Sequence, residues 1–122
     1  MQDFRKLKVW EKGHQLTLGV YRATTAFPKD EVYGLRSQIR RAAASVPANI
    51  SEACGKGGRA EFAQYLRVSM GSASELEYHL LLAHDLGLLK DDDYRKLAAE
   101  TVEIKRMLGA FIMKLKSGFT DN

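Results

Sequence analysis

The sequence predicts an all-α protein, an antiparallel up-down-up-down four-helix bundle in a single domain. Four segments carry apolar residues at steps of three and four, and short stretches rich in glycine, proline and charge separate them. Alternating β-branched runs and Asn-Gly turns, which mark strands and hairpins, are absent. A chain of 122 residues, 45% of them hydrophobic, is the size of one domain with one core. Short connections favour antiparallel neighbours, with helices at about 7–27, 31–54, 59–86 and 92–117.

The first predicted helix has a stripe of six residues on its inner face. They are Leu7, Trp10, His14, Thr17, Tyr21 and Thr24, with Val9, Leu16, Val20 and Phe27 beside them. Pro28 ends this helix, because proline disfavours the helical conformation of the residue before it.

The second predicted helix contains a proline. Its apolar stripe consists of Leu35, Ile39, Ala42, Val46, Ile50 and Ala53. Pro47 has no N–H to donate to the Ala43 carbonyl, so we expect the helix to bend there. Two shorter helices joined at Pro47 are the alternative.

The third and fourth helices have the most regular stripes. The third carries Phe62, Leu66, Ser69, Ala73, Leu76, Leu80 and Ala83. The fourth carries Tyr94, Leu97, Thr101, Ile104, Leu108, Phe111 and Leu115. Gly87 ends the third helix, and Asp91–Asp93 precede the fourth, where negative charge favours a helix N-terminus. Gly118 is the C-cap candidate.

Charge is unevenly distributed along the chain. Residues 1–60 contain 11 Lys or Arg against 5 Asp or Glu, whereas residues 61–122 contain 8 against 10. Such a basic half attracts phosphate or the acidic half of a neighbouring subunit. Cys54 is the one cysteine, which excludes an intrachain disulfide and a multi-cysteine zinc site. The sequence shows no signal peptide and no membrane-spanning run, so we expect a soluble cytoplasmic protein.

None of the residue patterns predicts catalysis or a cofactor. The Gly55–Gly58 stretch lacks the order of a phosphate-binding loop and follows a helix rather than a strand. Glu11 and His14 form one Glu-x-x-His pair, whereas a di-metal bundle needs two. Cys54 has no histidine near it in sequence to act as a base. We therefore predict no catalytic residues, no metal, no cofactor and no enzymatic activity.

Two further predictions concern helix faces. Arg41 and Glu77 flank the stripes of adjacent helices, which predicts a partly buried ion pair. Apolar or small residues also lie away from the stripes of the second and third helices, where a lone bundle would be polar. They predict a subunit interface, and the candidates are Ala44, Ala48, Tyr78, Leu81 and Leu82.

Basic residues form several clusters in the first half of the chain. Arg5, Lys6, Lys8 and Lys12 lie near the N-terminus. The residues predicted to contact nucleic acid are Arg36, Arg40, Lys56, Arg59 and Arg67. Contacts of this kind are made with phosphates and do not depend on base sequence. The alternative is that these charges only solvate the surface or bridge subunits.

A composite of short motifs carries a family resemblance. The motifs are Phe27-Pro28, Glu31-x-Tyr33-Gly34-Leu35, Gln38-Ile39-Arg40-Arg41-Ala42, Ser45-Val46-Pro47, Asn49-Ile50-x-Glu52 and Gly71-Ser72-x-x-Glu75-Leu76-Glu77. This pattern, from about Trp10 to Leu89, resembles the bacterial proteins encoded in intervening sequences of 23S ribosomal RNA genes, also called S23 ribosomal proteins. The chain departs from the family at two places. Ala53 stands where glycine is usual, and Lys56, after an extra Cys54-Gly55, stands where arginine is usual.

The resemblance implies a fold, an assembly and a partner. The family is similar to the accessory protein of diversity-generating retroelements, a pentameric four-helix bundle that binds nucleic acid through basic residues. We therefore expect a homopentamer without membrane association that binds structured RNA or another nucleic acid. A protein–protein interaction scaffold without a nucleic-acid role is the alternative.

Overall fold

The computed structural model describes residues 2–31 and 34–117, and in this part of the chain it confirms the all-α fold. The four helices are α1 (Lys8–Ala23), α2 (Leu35–Cys54), α3 (Arg59–Asp85) and α4 (Asp91–Lys116). Short 3₁₀ turns at Phe4–Lys6 and Lys29–Glu31 precede α1 and α2. Each helix packs on its neighbour in sequence, and α4 also packs on α1. Within the described residues, the backbones of the two diagonal pairs stay farther apart, with no Cα–Cα distance of 8 Å or less. The helices therefore form the four corners of a bundle.

The connection between α1 and α2 is longer than the sequence predicted. α1 ends at Ala23 because Thr24 takes a non-helical conformation, and its hydroxyl donates a hydrogen bond of 2.8 Å to the Val20 carbonyl. α2 begins at Leu35, whose N–H donates to the Glu31 carboxylate at 3.0 Å. Tyr33, part of the family pattern, and Gly118, the predicted C-cap of α4, lie outside the described residues.

The core confirms the stripes predicted for α2, α3 and α4. All six predicted residues of α2 are buried, as are Leu66 to Ala83 on the α3 stripe and Leu97 to Leu108 on the α4 stripe. The prediction for α1 is confirmed for Thr24 and for the residues placed beside the stripe, all of which are buried, but the stripe itself was centred on the wrong residues. Val9, Gly13, Leu16 and Val20 face the core, whereas Trp10 and His14 are half-buried and Tyr21 is exposed.

α2 runs through Pro47 without interruption, so the alternative of two shorter helices is wrong. Pro47 leaves the Ala43 carbonyl without its helical donor, and the Thr17 hydroxyl of α1 lies 3.0 Å from that carbonyl oxygen. Gly13 allows the close approach, because a Cβ at this position would lie 3.3 Å from Val46 Cγ1 and 3.6 Å from the Pro47 ring. Pro47 is therefore buried against α1.

Pairs of contacts that run in opposite directions along the chain show that neighbouring helices are antiparallel. Between α2 and α3, the Ser69 hydroxyl donates to the Val46 carbonyl at 2.9 Å, and the Ser72 and Ser45 hydroxyls lie 2.7 Å apart. The turn from α3 to α4 is tight because Gly87 adopts φ +78°, a conformation that favours glycine, and the N–H of the next residue returns to the Ala83 carbonyl at 2.9 Å.

Candidate functional site

Three separate parts of the sequence meet at one end of the bundle. The backbone N–H of Gln2 donates to the Cys54 carbonyl at 3.4 Å, which joins the N-terminal segment to the end of α2. The Phe62 ring near the start of α3 lies 5.4 Å, centroid to centroid, from the Phe111 ring near the end of α4. We call this the basic end of the molecule.

The basic end concentrates positive charge. Residues 2–12, 51–67 and 110–116 contain nine Lys or Arg and four Asp or Glu, whereas the other described residues contain ten of each. The nine are Arg5, Lys6, Lys8, Lys12, Lys56, Arg59, Arg67, Lys114 and Lys116. The asymmetry that the sequence showed between its two halves thus becomes an asymmetry between one end of the bundle and the rest.

Lys56 and Arg59 lie in the α2–α3 loop and at the first residue of α3. Lys56 is half-buried. Its ammonium lies 3.7 Å from the Glu52 carboxylate and 5.4 Å from the centre of the Tyr65 ring. Arg59 is exposed. The loop therefore presents one side chain held in place and one that extends into solvent.

A cavity of about 300 Å³ opens beside this loop. The polar part of its lining comes from Gln2 and from the loop residues Lys56, Gly57, Gly58 and Arg59. The apolar part comes from Cys54, Phe62, Phe111 and Leu115. No sequence pattern predicts this cavity, because its walls come from the N-terminal segment, the α2–α3 loop, α3 and the end of α4.

Cys54, in the wall of this cavity, is buried. Burial raises the pKa of its thiol, which keeps the sulfur protonated and a poor nucleophile at neutral pH. Among the described residues, no group of three or more His, Cys, Asp or Glu side chains is placed to hold a metal ion. His14, of the Glu-x-x-His pair, stacks its ring on that of Trp10, with the ring centroids 5.0 Å apart.

The five residues predicted to contact nucleic acid do not form one patch. Arg36 and Arg40 lie near the start of α2, and Lys56 and Arg59 follow its end, about 30 Å away at 1.5 Å per helical residue. Arg67 is exposed two turns into α3, with a guanidinium nitrogen 3.5 Å from the Gln64 side chain. Only Lys56 and Arg59 of the predicted set lie side by side at the basic end.

Arg40 is held by α1. Its guanidinium donates to the Thr24 hydroxyl at 2.9 Å and to the Tyr21 carbonyl at 3.0 Å, and it lies 4.5 Å above the Tyr21 ring. These contacts join the end of α1 to α2. Arg40 is therefore already engaged within the fold, whereas Arg36 lies half-buried beside it.

The predicted ion pair between Arg41 and Glu77 is wrong. The Glu77 carboxylate accepts a hydrogen bond of 2.8 Å from the Lys105 ammonium of α4. Arg41 is exposed and, within the described part of the chain, has no carboxylate at ion-pair distance. The reason is that Glu77 lies on the flank of α3 that faces α4, whereas α2 packs on the opposite flank.

The predicted interface residues differ in exposure. Tyr78 is 58% exposed and Leu81 is 42% exposed, and Ala48 is also exposed. Ala44 is half-buried, and Leu82 packs partly against the core. Leu18, Tyr21 and Val102, which the sequence reading did not place at an interface, are further exposed apolar residues.

Comparison with known proteins identifies the family. The profile described as 23S rRNA-intervening sequence protein matches residues 5–110. The chain belongs to this family. Its fold is similar to the crystal structure of a protein with unknown function from the S23 ribosomal protein family of Bacteroides thetaiotaomicron VPI-5482. The two share 25% sequence identity and a TM-score of 0.77, over 85% of this chain and 97% of that one.

The comparisons give the 23S rRNA-intervening sequence family no activity. A search of curated proteins finds no match. None of the helices in the described residues combines the length and the apolar character that crossing a bilayer requires.

Proposed function

We propose that this 23S rRNA-intervening sequence protein is a non-enzymatic RNA-binding protein whose basic end contacts the phosphates of structured RNA. The observation that carries the proposal is the ratio of nine basic to four acidic residues at this end, against ten of each elsewhere in the described chain. Concentrated positive charge attracts a polyanion and gains free energy from the counterions that it releases. Binding of this kind does not depend on base sequence.

Assembly into a ring supports the same function. The α1–α2 side and the α3–α4 side are opposite sides of the bundle, and each has exposed apolar residues. A head-to-tail ring uses two different surfaces of each protomer, and it closes when the rotation between neighbouring protomers adds up to a full turn. We propose a homopentamer, the state that the family resemblance implies. A ring repeats the basic end around its axis, so weak phosphate contacts combine through avidity.

A salt titration with matched variants tests the RNA-binding proposal. We expect the affinity for a stem-loop RNA to fall steeply between about 50 and 200 mM salt. The double substitution Lys56→Ala with Arg59→Ala should weaken binding to unrelated RNA sequences equally. It should also make the log–log salt dependence shallower by about 1.4 to 1.8, because about 0.7 to 0.9 is lost per phosphate contact.

The control carries the same change in charge at the other end of the bundle. Lys29→Ala with Lys90→Ala removes two exposed lysines outside the basic end and should leave affinity and salt dependence close to those of the parent. Equal effects of the two double substitutions would contradict binding at the basic end. Absence of binding at low salt would contradict the RNA-binding function itself.

A protein–protein scaffold is the second candidate function. The observation that favours it is the exposure of large apolar side chains outside the predicted subunit interface, with Val68 at 43%, Leu86 at 59% and Met113 at 67%. Exposed apolar surface beyond what a ring uses is suited to another protein. This function predicts assembly without salt-dependent RNA binding, so the same titration separates the two candidates.

A further inference from the structure

The cavity at the basic end combines two kinds of wall in one small space. Its apolar side includes the rings of Phe62 and Phe111, which are half-buried and tilted by 49° to each other. Lys56 and Arg59 line the same cavity, and the two residues between them in sequence are glycines, which carry no side chain. Its volume of about 300 Å³ is at the lower limit for small-molecule sites.

This combination matches the chemistry of a nucleotide. A nucleobase is a flat, apolar-faced ring that stacks on aromatic side chains whatever its sequence, and its phosphate is an anion. A double helix keeps the faces of its bases stacked inside, so only phosphates, sugars and base edges are presented to a surface of this kind. An unpaired nucleotide can instead place its base against the rings and its phosphate against the cations.

We propose that this cavity binds an unpaired nucleotide of the RNA, with the base against Phe62 and Phe111 and the adjacent phosphate against Lys56 and Arg59. The inference rests on the proposed function and extends it from charge alone to the kind of RNA that is preferred. Stem-loops and bulges, which expose unpaired bases beside a charged backbone, are then preferred to blunt duplexes.

The test compares two probes of equal charge. One is a short oligoadenylate and the other is an abasic oligomer with the same number of phosphates. We expect the protein to bind oligoadenylate at least about fivefold more tightly, which is the lower end of what one base–aromatic stack contributes. Charge alone predicts equal affinity for the two probes.

Two leucine substitutions show whether the preference comes from the cavity. Phe111→Leu removes a ring from the cavity and keeps an apolar side chain, so it should abolish most of the preference while the abasic oligomer binds as before. Phe4→Leu removes a ring at the same end of the bundle that does not line the cavity, and should leave the preference unchanged. Equal behaviour of the two variants would overturn the proposal.

A measurement on the unsubstituted protein does not depend on how well a variant folds. Oligoadenylate should shift the NMR ring resonances of Phe62 and Phe111, whereas the abasic oligomer should leave them in place. Adenosine monophosphate tests a free nucleotide as the occupant. It should bind far more weakly than oligoadenylate, because it brings no neighbouring phosphates, and comparable affinity would overturn the assignment to an RNA strand.

The outcomes separate this inference from the function on which it rests. Salt-dependent binding of both oligomers with equal affinity overturns the nucleotide site and leaves RNA binding by charge intact. Failure of both oligomers and of stem-loop RNA to bind at low salt overturns the proposed function as well.

Discussion

Glu77 and Lys105 are both partly exposed, with side-chain exposures of 41% and 31%. Solvent weakens an ion pair in such a position, and removing one partner leaves a charge that water still reaches. The pair therefore contributes much less than a buried pair would. The pair joins α3 to α4, because Glu77 lies on the flank of α3 that faces α4.

We expect Glu77→Gln to lower the free energy of unfolding by less than about 1 kcal/mol, the range measured for exposed pairs. Arg41→Ala should change it by less still, because Arg41 is exposed and unpaired among the described residues. Urea denaturation of both variants at one protomer concentration is the measurement. A loss near 3 kcal/mol for Glu77→Gln would show that the pair is desolvated after all.

Asp91 at the start of α4 is the acceptor in a small polar cluster. Hydrogen bonds from Arg95 and from His84 lower the pKa of its carboxyl, and His84 lies 2.9 Å away at the end of α3. The His84 ring also stacks on Tyr94 with the centroids 4.4 Å apart. The cluster thus joins the ends of two helices across the turn at Gly87.

The lowered pKa of Asp91 predicts how stability depends on pH. A carboxyl whose pKa is lower in the folded state stabilises the protein above its ordinary value of 3.8, and this stabilisation is lost as the pH falls through the lower, folded value. We expect Asp91→Asn to reduce the acid-induced fall in melting temperature. Asp92→Asn, which removes a charge from the same turn, is the control. An unchanged acid profile in Asp91→Asn would contradict the prediction.

At the scale of helices, α1 completes the hydrogen bonding of α2. A proline inside a helix leaves one carbonyl without a donor, and burial of an unsatisfied carbonyl costs about 1–3 kcal/mol. The Thr17 hydroxyl, 3.0 Å from the Ala43 oxygen and 2.8 Å from the Gly13 oxygen, meets this need from the neighbouring helix. Gly13 allows this contact, because the absence of a Cβ lets the backbones of α1 and α2 approach each other.

We expect Thr17→Val, which preserves shape and removes the donor, to lower the free energy of unfolding by about 1–3 kcal/mol. The same substitution in a Pro47→Ala background should cost at least about 1 kcal/mol less, because residue 47 regains an N–H for the Ala43 carbonyl. Urea denaturation of the four proteins of this cycle is the measurement. Additive effects would show that Thr17 acts independently of the proline.

At the scale of the whole molecule, apolar surface lies on two opposite sides. Tyr21 follows Thr17 by one turn on the α2-facing flank of α1, and Ala44 follows Arg40 by one turn on α2. On the other side, Leu81 follows Glu77 by one turn and Val102 precedes Lys105 by three residues. In the ring that we propose, the first surface of each protomer packs against the second surface of the next.

We expect light scattering of the parent protein to give five times the chain mass of 13.7 kDa. Leu81→Asp places a charge in the contact and should shift the protein to the monomer at the same concentration. Leu86→Asp, at an exposed leucine that follows the last residue of α3, is the matched control and should retain the ring. A parent protein that is monomeric at micromolar concentration would contradict the assembly.

The sequence by itself determined the helices, their order and most of the core. The stripes of α2, α3 and α4 follow from a period of 3.6 residues, and Gly87 ends α3 through its own conformation, so both are local properties. On α1 the sequence placed Trp10 and Tyr21 on the stripe and Val9, Leu16 and Val20 beside it, whereas the second set lies in the core. Local pattern does not distinguish an aromatic side chain in the core from one on its flank.

Only the tertiary structure decided which charges meet. The partner of Glu77 depends on the flank of α3 that faces α4, and the separation of Arg36 from Lys56 depends on the length of α2. The basic end and its cavity assemble from residues 2–12, 51–67 and 110–116, which are distant in the chain. Charge and packing act through space, whereas a sequence pattern records only distance along the chain. The site therefore appears only when the four helices are placed together.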